Sequence, residues 1–326
     1  MRRRLSRAVL LAGIACVTAT SVQAQSWPQQ KAIKIQVIAA AGGLIDFTPR
    51  LIGKYLSPII GEPVIVENRP GGGGNIASAV VAKAEPDGHT LLVTGSNQAV
   101  NPTLLPDPGF DYERDLVPIS MIVGAKMLLV TSPDFPANSI ADVIRMSKEK
   151  PRSLSIAISP IGTPNHLGAE MLAQLPDIKL TFVPYGGIAQ STADLIAGRV
   201  DMAVAALPSV LPQVQAGKLK ALAVTSSRRS ELAPDIPTTT EAGLPGMQID
   251  AWIALMGTGG TPAPVIAKID EEIAKVLVMP EVRDSFAKQG VEILHMGPDE
   301  LGRFLKSEAT RYSSLLKNSQ VRAQSK

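Results

Sequence analysis

Three histidines, His89, His166 and His295, are the first residues to test for general-base or metal chemistry. They fall in three separate segments, and none is followed by the second histidine four residues on that a zinc-binding helix uses. No Gly-x-Ser-x-Gly nucleophile elbow occurs anywhere in the chain. The adjacent carboxylates Glu271 and Glu272 sit among lysines in a helical pattern, which is the pattern of a solvated face. The run Gly71-Gly72-Gly73-Gly74 suggests a phosphate cradle, but a P-loop needs Lys and then Ser or Thr directly after its glycines. Here Asn75, Ile76 and Ala77 follow, and Lys83 is the nearest lysine. A dinucleotide fingerprint would follow the first strand, whereas this run follows the second. The run is therefore expected to be a turn that lets a helix pack closely, with Asn75 as its cap. No catalytic residue, cofactor or metal is expected.

Two glycine turns that open helices remain. At Gly42-Gly43 and at Gly162-Thr163, unpaired N–H groups at a helix start are expected to point outward, and such groups bind anions without a cationic side chain. Asp46 either caps the first turn or joins the ligand shell. Thr163, Asn165 and His166 add polar groups at the second. His166 either hydrogen-bonds a loop carbonyl or touches ligand.

The elements that must position these turns alternate in a regular way. "KIQVIAA" from Lys34, "PVIVEN" from Pro63 and "HTLLVTG" from His89 read as strands. Helices are expected over Asp46 to Ile60 and Asn75 to Ala84. The pattern restarts with a strand from Lys126 to Thr131, a helix from Ser139 to Lys150 with Ser139 as N-cap, and "LSIAIS" from Leu154. Strands at Leu180, Val200 and Leu219 and a helix at Ser191 follow. A long Pro- and Thr-rich connection then covers Pro234 to Gly246. A strand lies around Trp252, and helices span Pro264 to Val278, Pro280 to Gln289 and Pro298 to Leu316. Strand and helix in alternation define an α/β protein with parallel sheets. "VIAAAGGLIDFTPRL" and "IAISPIGTPNHLGAEML" echo one another as strand, glycine turn and helix, which two lobes would explain.

The first 24 residues read as a secretory signal. Arg2, Arg3, Arg4 and Arg7 precede an apolar run from Ala8 to Val17, and Val22-Gln23-Ala24 supplies the small residues a signal peptidase reads. Removing them leaves roughly 300 residues, enough for two lobes. It also removes four arginines from a chain of formal net charge +3, so the remainder is slightly acidic. No basic patch for nucleic acid remains. Cys16, the only cysteine, lies inside the signal; a lipoprotein anchor there would lack the usual leucine three positions upstream, and otherwise the exported protein carries no thiol and no disulfide.

The chain resembles the Bug/TctC proteins, the extracytoplasmic solute receptors of tripartite tricarboxylate transporters. The resemblance is carried in order by "WPQQKAIKIQVIAAAGGLIDFTPRL", with Gly42, Gly43, Asp46 and Arg50, then by "VENRPGGGGNIASAVVAKAEPDGHTLL" and "GTPNHLGAE". "VPYGGIAQSTADLIAGRVD", "GKLKALAVT", "PDIPTTTEAGLPG" and "GGTPAPVIAKI" complete it. It implies a periplasmic-binding-protein fold of type II. Two α/β lobes, each a mostly parallel sheet flanked by helices, are joined by two crossings near Gly124 and Asp250. Lobe one is residues 25–124 plus 251–326, and lobe two is residues 125–250. The implied function is capture of a small carboxylate by a monomeric, non-enzymatic periplasmic receptor for a membrane permease. A sensor feeding a histidine kinase, or a hydrolase on a similar scaffold, is the alternative. The implied ligand-binding set is Ala41, Gly42, Gly43 and Asp46, with Ser96 and Asn97, from lobe one. Lobe two supplies Ser159, Gly162, Thr163 and His166, with Tyr185 and Asp201 nearby. The chain departs from the family pattern at Gly186, where Lys or Arg is usual, and at Gln190, where Pro is common. It also lacks a Phe-Pro before Gly42. The missing cation points to a less charged or larger ligand.

Overall fold

The computed structural model describes residues 27–28, 31–105, 107–317 and 319; the signal segment and Cys16 lie outside the described residues. The chain runs β1 (Ile33–Val37), α1 (Leu44–Ile60), β2 (Val64–Asn68), a single 3-10 turn at Gly72–Gly74, α2 (Asn75–Ala82), β3 (Thr90–Thr94), α3 (Asn97–Leu104) and β4 (Leu116–Thr131). It continues through α4 (Ile140–Glu149), β5 (Leu154–Ile158), α5 (Pro164–Ala173), β6 (Leu180–Pro184), α6 (Ile188–Ile196), β7 (Met202–Ala206), α7 (Leu207–Gln215) and β8 (Lys220–Val224). It closes with β9 (Asp250–Thr258), α8 (Ala263–Leu277), α9 (Pro280–Lys288), β10 (Glu292–Met296) and α10 (Pro298–Lys317).

Two sheets share one strand. In the first, β2, β1 and β3 are parallel, β9 lies antiparallel to β3, and β4 lies antiparallel to β9 from Leu116 to Lys126. From Met127 to Thr131 the same strand changes partners and pairs antiparallel with β7 and β8. There β5 joins β7 and β6 in parallel. Parallel pairing thus builds one side of each sheet, β4 and β9 are the antiparallel spine, and β10 in the first sheet and β8 in the second pair antiparallel with β4 on its other side. Lys126 faces Asp250 across that spine, where β9 begins. The fold is the two-lobed α/β arrangement expected from sequence.

Burial explains the choice of elements. β3 and the middle of β4 are continuous apolar runs because helices cover both faces of the sheet, whereas β1 alternates, with Lys34 exposed and Gln36 buried between its apolar residues. α1 buries Leu51, Ile52 and Leu56 against the first sheet and ends at Gly61, whose φ of 75° suits the left-handed stop. Ser139 caps α4 by accepting from Asp142 N–H at 3.1 Å. α10 buries Leu301, Tyr312 and Leu316 in a cluster that also holds Met121 and Trp252 of the first sheet, Ile156 and Met202 of the second, and Leu167 of α5. Each large apolar side chain placed there contributes roughly 2–3 kcal/mol. The last helix therefore glues both sheets from behind.

Candidate functional site

Parallel strands end on one edge, and the turns that follow them cluster there. The turn after β3 meets the turn after β5 in this way. Ser96 Oγ, at the start of α3, donates to the Gly162 carbonyl at 3.0 Å, and both residues are buried. A Cβ on Gly162 would lie 3.6 Å from Asn97 Nδ2 and from Val100. The two sheets thus touch at their carboxyl edges.

Three of these turns share one device. Gly42 N–H donates to Asp46 Oδ2 at 2.9 Å, Gly162 N–H to His166 Nδ1 at 3.3 Å, and Gly186 N–H to Gln190 Oε1 at 3.2 Å. In each case the acceptor is the side chain four residues on, in the first turn of the following helix. Gly42 and Gly162 have φ of 101° and 86°, a left-handed conformation that glycine adopts without strain.

The sequence echo between the turns therefore has a structural basis, but the free donors are distributed differently from expectation. Gly42 N–H is engaged by Asp46. At the second turn Gly162 N–H is taken by His166, and Thr163 N–H donates to Pro160 O at 3.2 Å. Pro164 has no N–H, and His166 N–H reaches Thr163 Oγ1 at 3.4 Å. Asn165 donates its side-chain amide to Val204 O at 2.8 Å. The start of α5 is thus nearly saturated from within. At α1, Gly43, Leu44 and Ile45 have no intrahelical acceptor, and at α6 the same holds for Gly187, Ile188 and Ala189. Of the three glycine turns, those of α1 and α6 leave helix-start N–H groups able to receive an anion. His166 also differs from expectation: it accepts from a turn N–H rather than donating to a carbonyl.

Asp46 is buried and committed. Besides Gly42 it accepts from Arg50 Nε at 3.0 Å and from Asn68 Nδ2 at 2.8 Å. Hydrogen bonding from Arg50 first of all, then from Gly42 and Asn68, outweighs the burial that opposes it, and the carboxyl pKa falls to about 2. Of the two roles open from sequence, this geometry is that of a turn organiser. Ala41 and Gly43 are exposed on the same turn, and Ser159 is buried at the end of β5.

The glycine run packs against the site from the side. Gly71, Gly72, Gly73 and Gly74 all have positive φ, and a Cβ on Gly74 would meet Ile38 at 3.2 Å. Asn97 and Asn101 both donate to the Gly73 carbonyl, at 3.0 and 2.8 Å. Asn75 is not the cap expected of it. It is the first residue of α2, and its side chain accepts from Asn101 and from the Tyr112 hydroxyl.

Tyr185 and Asp201 spend their side-chain polar atoms on other partners. The Tyr185 hydroxyl donates to Asp194 on α6 at 2.9 Å, and burial and this contact push its pKa up. Asp201 precedes β7 and accepts from Ser155 N–H and Oγ at 2.7 and 2.6 Å, at the amino edge of the sheet. Conversely, the start of α7 was missed from sequence. Ala206, Leu207 and Pro208 line a cavity of about 420 Å³ with Leu44 of the first turn and Gly290 from the α9–β10 turn. The signal was available: β7 is a third parallel strand, and its carboxyl end had to reach the same edge.

Two α/β units hinged on shared strands, with facing turns at their carboxyl edges, define a solute-binding protein of the periplasmic-binding-protein type. The model of the TctC family, described as the tripartite tricarboxylate transporter family receptor, matches residues 49–321, and the chain belongs to that family. It is 34% identical to the UPF0065 protein in the tcbD-tcbE intergenic region of Pseudomonas sp. (strain P51), over 96% of this chain and 94% of that protein. It is 31% identical to protein BugT of Bordetella pertussis, over 96% of this chain and 97% of the other. Among solved structures, R. palustris Rpa4515 with adipate superposes with a TM-score of 0.78 at 30% identity, covering 89% of this chain and 97% of that one. MatC (Rpa3494) from Rhodopseudomonas palustris, with bound malate, superposes with a TM-score of 0.75 at 28% identity, covering 87% and 98%. The family and these neighbours are substrate-binding receptors, not enzymes. Proteins of this family are periplasmic receptors. Among the described residues no helix is long and apolar enough to cross a membrane.

Proposed function

We propose that this protein is exported after loss of residues 1–24, captures a small carboxylate between residues 25–124 plus 251–326 and residues 125–250, and delivers it to a tripartite tricarboxylate transporter permease. The observation that carries this reading is the meeting of the two carboxyl edges at Ser96 and Gly162, beside helix starts with unsatisfied N–H groups. In this reading the ligand carboxylate is held by backbone donors of α1 and α6, because the α5 start is occupied internally. Ala41, Gly43, Asn97 and Ser159 line the cleft. Gly42, Asp46, Gly162, Thr163 and His166 shape its turns. Gly186 and Gln190 leave the α6 turn without a cationic side chain. We therefore assign a monocarboxylate, or a carboxylate with an uncharged distal end, rather than a dicarboxylate such as the adipate or malate of the neighbours.

A thermal-shift screen of residues 25–326 tests both levels, since a ligand that binds only the folded state raises the melting temperature. The panel holds adipate, malate, aliphatic and aromatic monocarboxylates, amino acids and neutral amides. A shift with monocarboxylates above that with adipate and malate is the expected outcome. A stronger dicarboxylate shift refutes the charge assignment. Shifts with neutral amides alone refute carboxylate capture.

A further inference from the structure

A line of contacts leaves the cleft and ends at the far side of the molecule. Ser96 Oγ donates to Gly162 O at 3.0 Å, and Gly162 N–H donates to His166 Nδ1 at 3.3 Å. His166 Nε2 faces Glu170 Oε1 at 3.5 Å, one helical turn further along α5, a charge contact too poorly aligned to be a hydrogen bond. Glu170 Oε1 accepts from Ser319 Oγ at 2.5 Å. His166, Glu170 and Ser319 are 0%, 1% and 6% exposed. An imidazole and a carboxyl at such depth are costly unless they are partnered. Beside this line, Gln174 Nε2 donates to Leu315 O at 2.5 Å. The end of α10, which follows β10 of the first sheet, is thus fastened at two points to α5 of the second.

The direction of each bond has a chemical consequence. A ring nitrogen that accepts from an N–H must present its lone pair, so Nδ1 of His166 is bare and the proton is on Nε2. Nε2 is the atom turned toward Glu170. The carboxyl therefore favours the tautomer that can hold the Gly162 N–H, and Ser319 holds the carboxyl. With its N–H fixed, the Gly162 peptide aims its carbonyl at Ser96 on the opposite lobe.

We propose that His166, Glu170 and Ser319 are positioning residues for lobe closure, setting the Gly162 peptide so that its carbonyl meets Ser96 and thereby coupling the cleft to the end of the last helix. This rests on the two-lobed receptor reading above, but its test needs no ligand. The first readout is the tautomer of His166, from imidazole nitrogen shifts of histidine-labelled protein, assigned with a His166→Gln variant. The second is the interlobe distance between spin labels at the exposed positions Lys83→Cys and Glu149→Cys, in residues 25–326, which hold no other cysteine.

The proposal expects the Nε2–H tautomer in the unaltered protein, its retention in Glu170→Gln, and a mixture in Ser319→Ala. Ser319→Ala should also raise the open-to-closed ratio roughly fivefold, the equivalent of one hydrogen bond of about 1 kcal/mol. Ser96→Ala should open the lobes to a similar extent with the tautomer unchanged. An Nδ1–H tautomer in the unaltered protein overturns the proposal. So does a Ser319→Ala protein with tautomer and distances as in the parent. Absence of carboxylate binding would sink the receptor reading while leaving these two readouts intact.

Discussion

Replacing Asp46 by Asn asks whether its charge is spent inside the protein. The carboxylate accepts from Gly42 N–H at 2.9 Å, Arg50 Nε at 3.0 Å and Asn68 Nδ2 at 2.8 Å. A second Arg50 nitrogen lies 2.9 Å away. Asparagine keeps the size but has one acceptor oxygen, and its amide N–H₂ would face donors that have nothing to accept with. At least one charge-assisted hydrogen bond and one neutral one are lost. Arg50 is half exposed and recovers water, which limits the cost. We expect a loss of about 2–3 kcal/mol. At an unfolding entropy of roughly 2 cal/mol/K per residue, that lowers Tm by about 3–5 °C for a chain of this length. The pH dependence follows from the sign of the shift. A folded pKa of about 2, below the ordinary carboxylate value, stabilises the folded state above the unfolded pKa and loses that contribution as pH falls through the folded one. Calorimetric melts of parent and Asp46→Asn should therefore differ most at neutral pH and converge between about pH 4 and pH 2. Equal Tm values at neutral pH, or a gap that does not change on acidification, would refute the account of Asp46 as an internally neutralised turn organiser.

Other outcomes follow from particular positions. Gly74→Ala forces an L-residue to φ of 98° with its Cβ 3.2 Å from Ile38, and should cost about 1–3 kcal/mol in urea unfolding; an unchanged midpoint would contradict it. Asp250 is raised to about pH 6, chiefly by burial, with its Oδ1 unpartnered. A raised carboxyl pKa favours the folded state below the unfolded value and gives up that contribution as pH climbs to about 6. Asp250→Asn should thus raise Tm by roughly 2–4 °C near pH 8 and bring no gain below about pH 4. A gain of equal size at both pH values would assign it to something other than titration. Asp201→Asn should lower Tm through the lost Ser155 contacts, yet leave the affinity of whichever carboxylate the screen identifies within about twofold. A large loss of affinity would place Asp201 nearer the cleft than its edge of the sheet allows.

Much of the fold was legible because strand, glycine turn and helix recur with clear boundaries. The observed β1, α1, β2, β5, α5, β8 and α8 all fall where periodicity puts them. What escaped has local causes. Only the second half of β4 was visible, since Pro118 and two register shifts near Pro118 and Met121 break the alternation of the first half. α3 reads NQAVNPTL, polar and interrupted by Pro102, and α7 carries Pro208 and Pro212. β10 is half exposed, and its EILHM lacks an apolar run. The turns of the site were equally legible as backbone. Which of their N–H groups stay free was not, because that depends on side chains four residues on folding back. Asp46 and His166 do so, and so does Gln190, where the chain departs from its family. Tyr185 and Asp201 sit beside site motifs in sequence but spend their polar atoms on Asp194 and Ser155.

β4 is one unbroken mechanical member. Its sixteen residues carry no slack linker between the sheets: Lys126 ends one set of partners and Met127 begins the next. Relative motion of the two units must then be torsion of a continuous ribbon, resisted by hydrogen bonds on both flanks. Such a spar behaves as a torsion bar rather than a door hinge. It confines travel to one rotational path and returns the halves to register, so that Ser96 finds the same carbonyl at every closure.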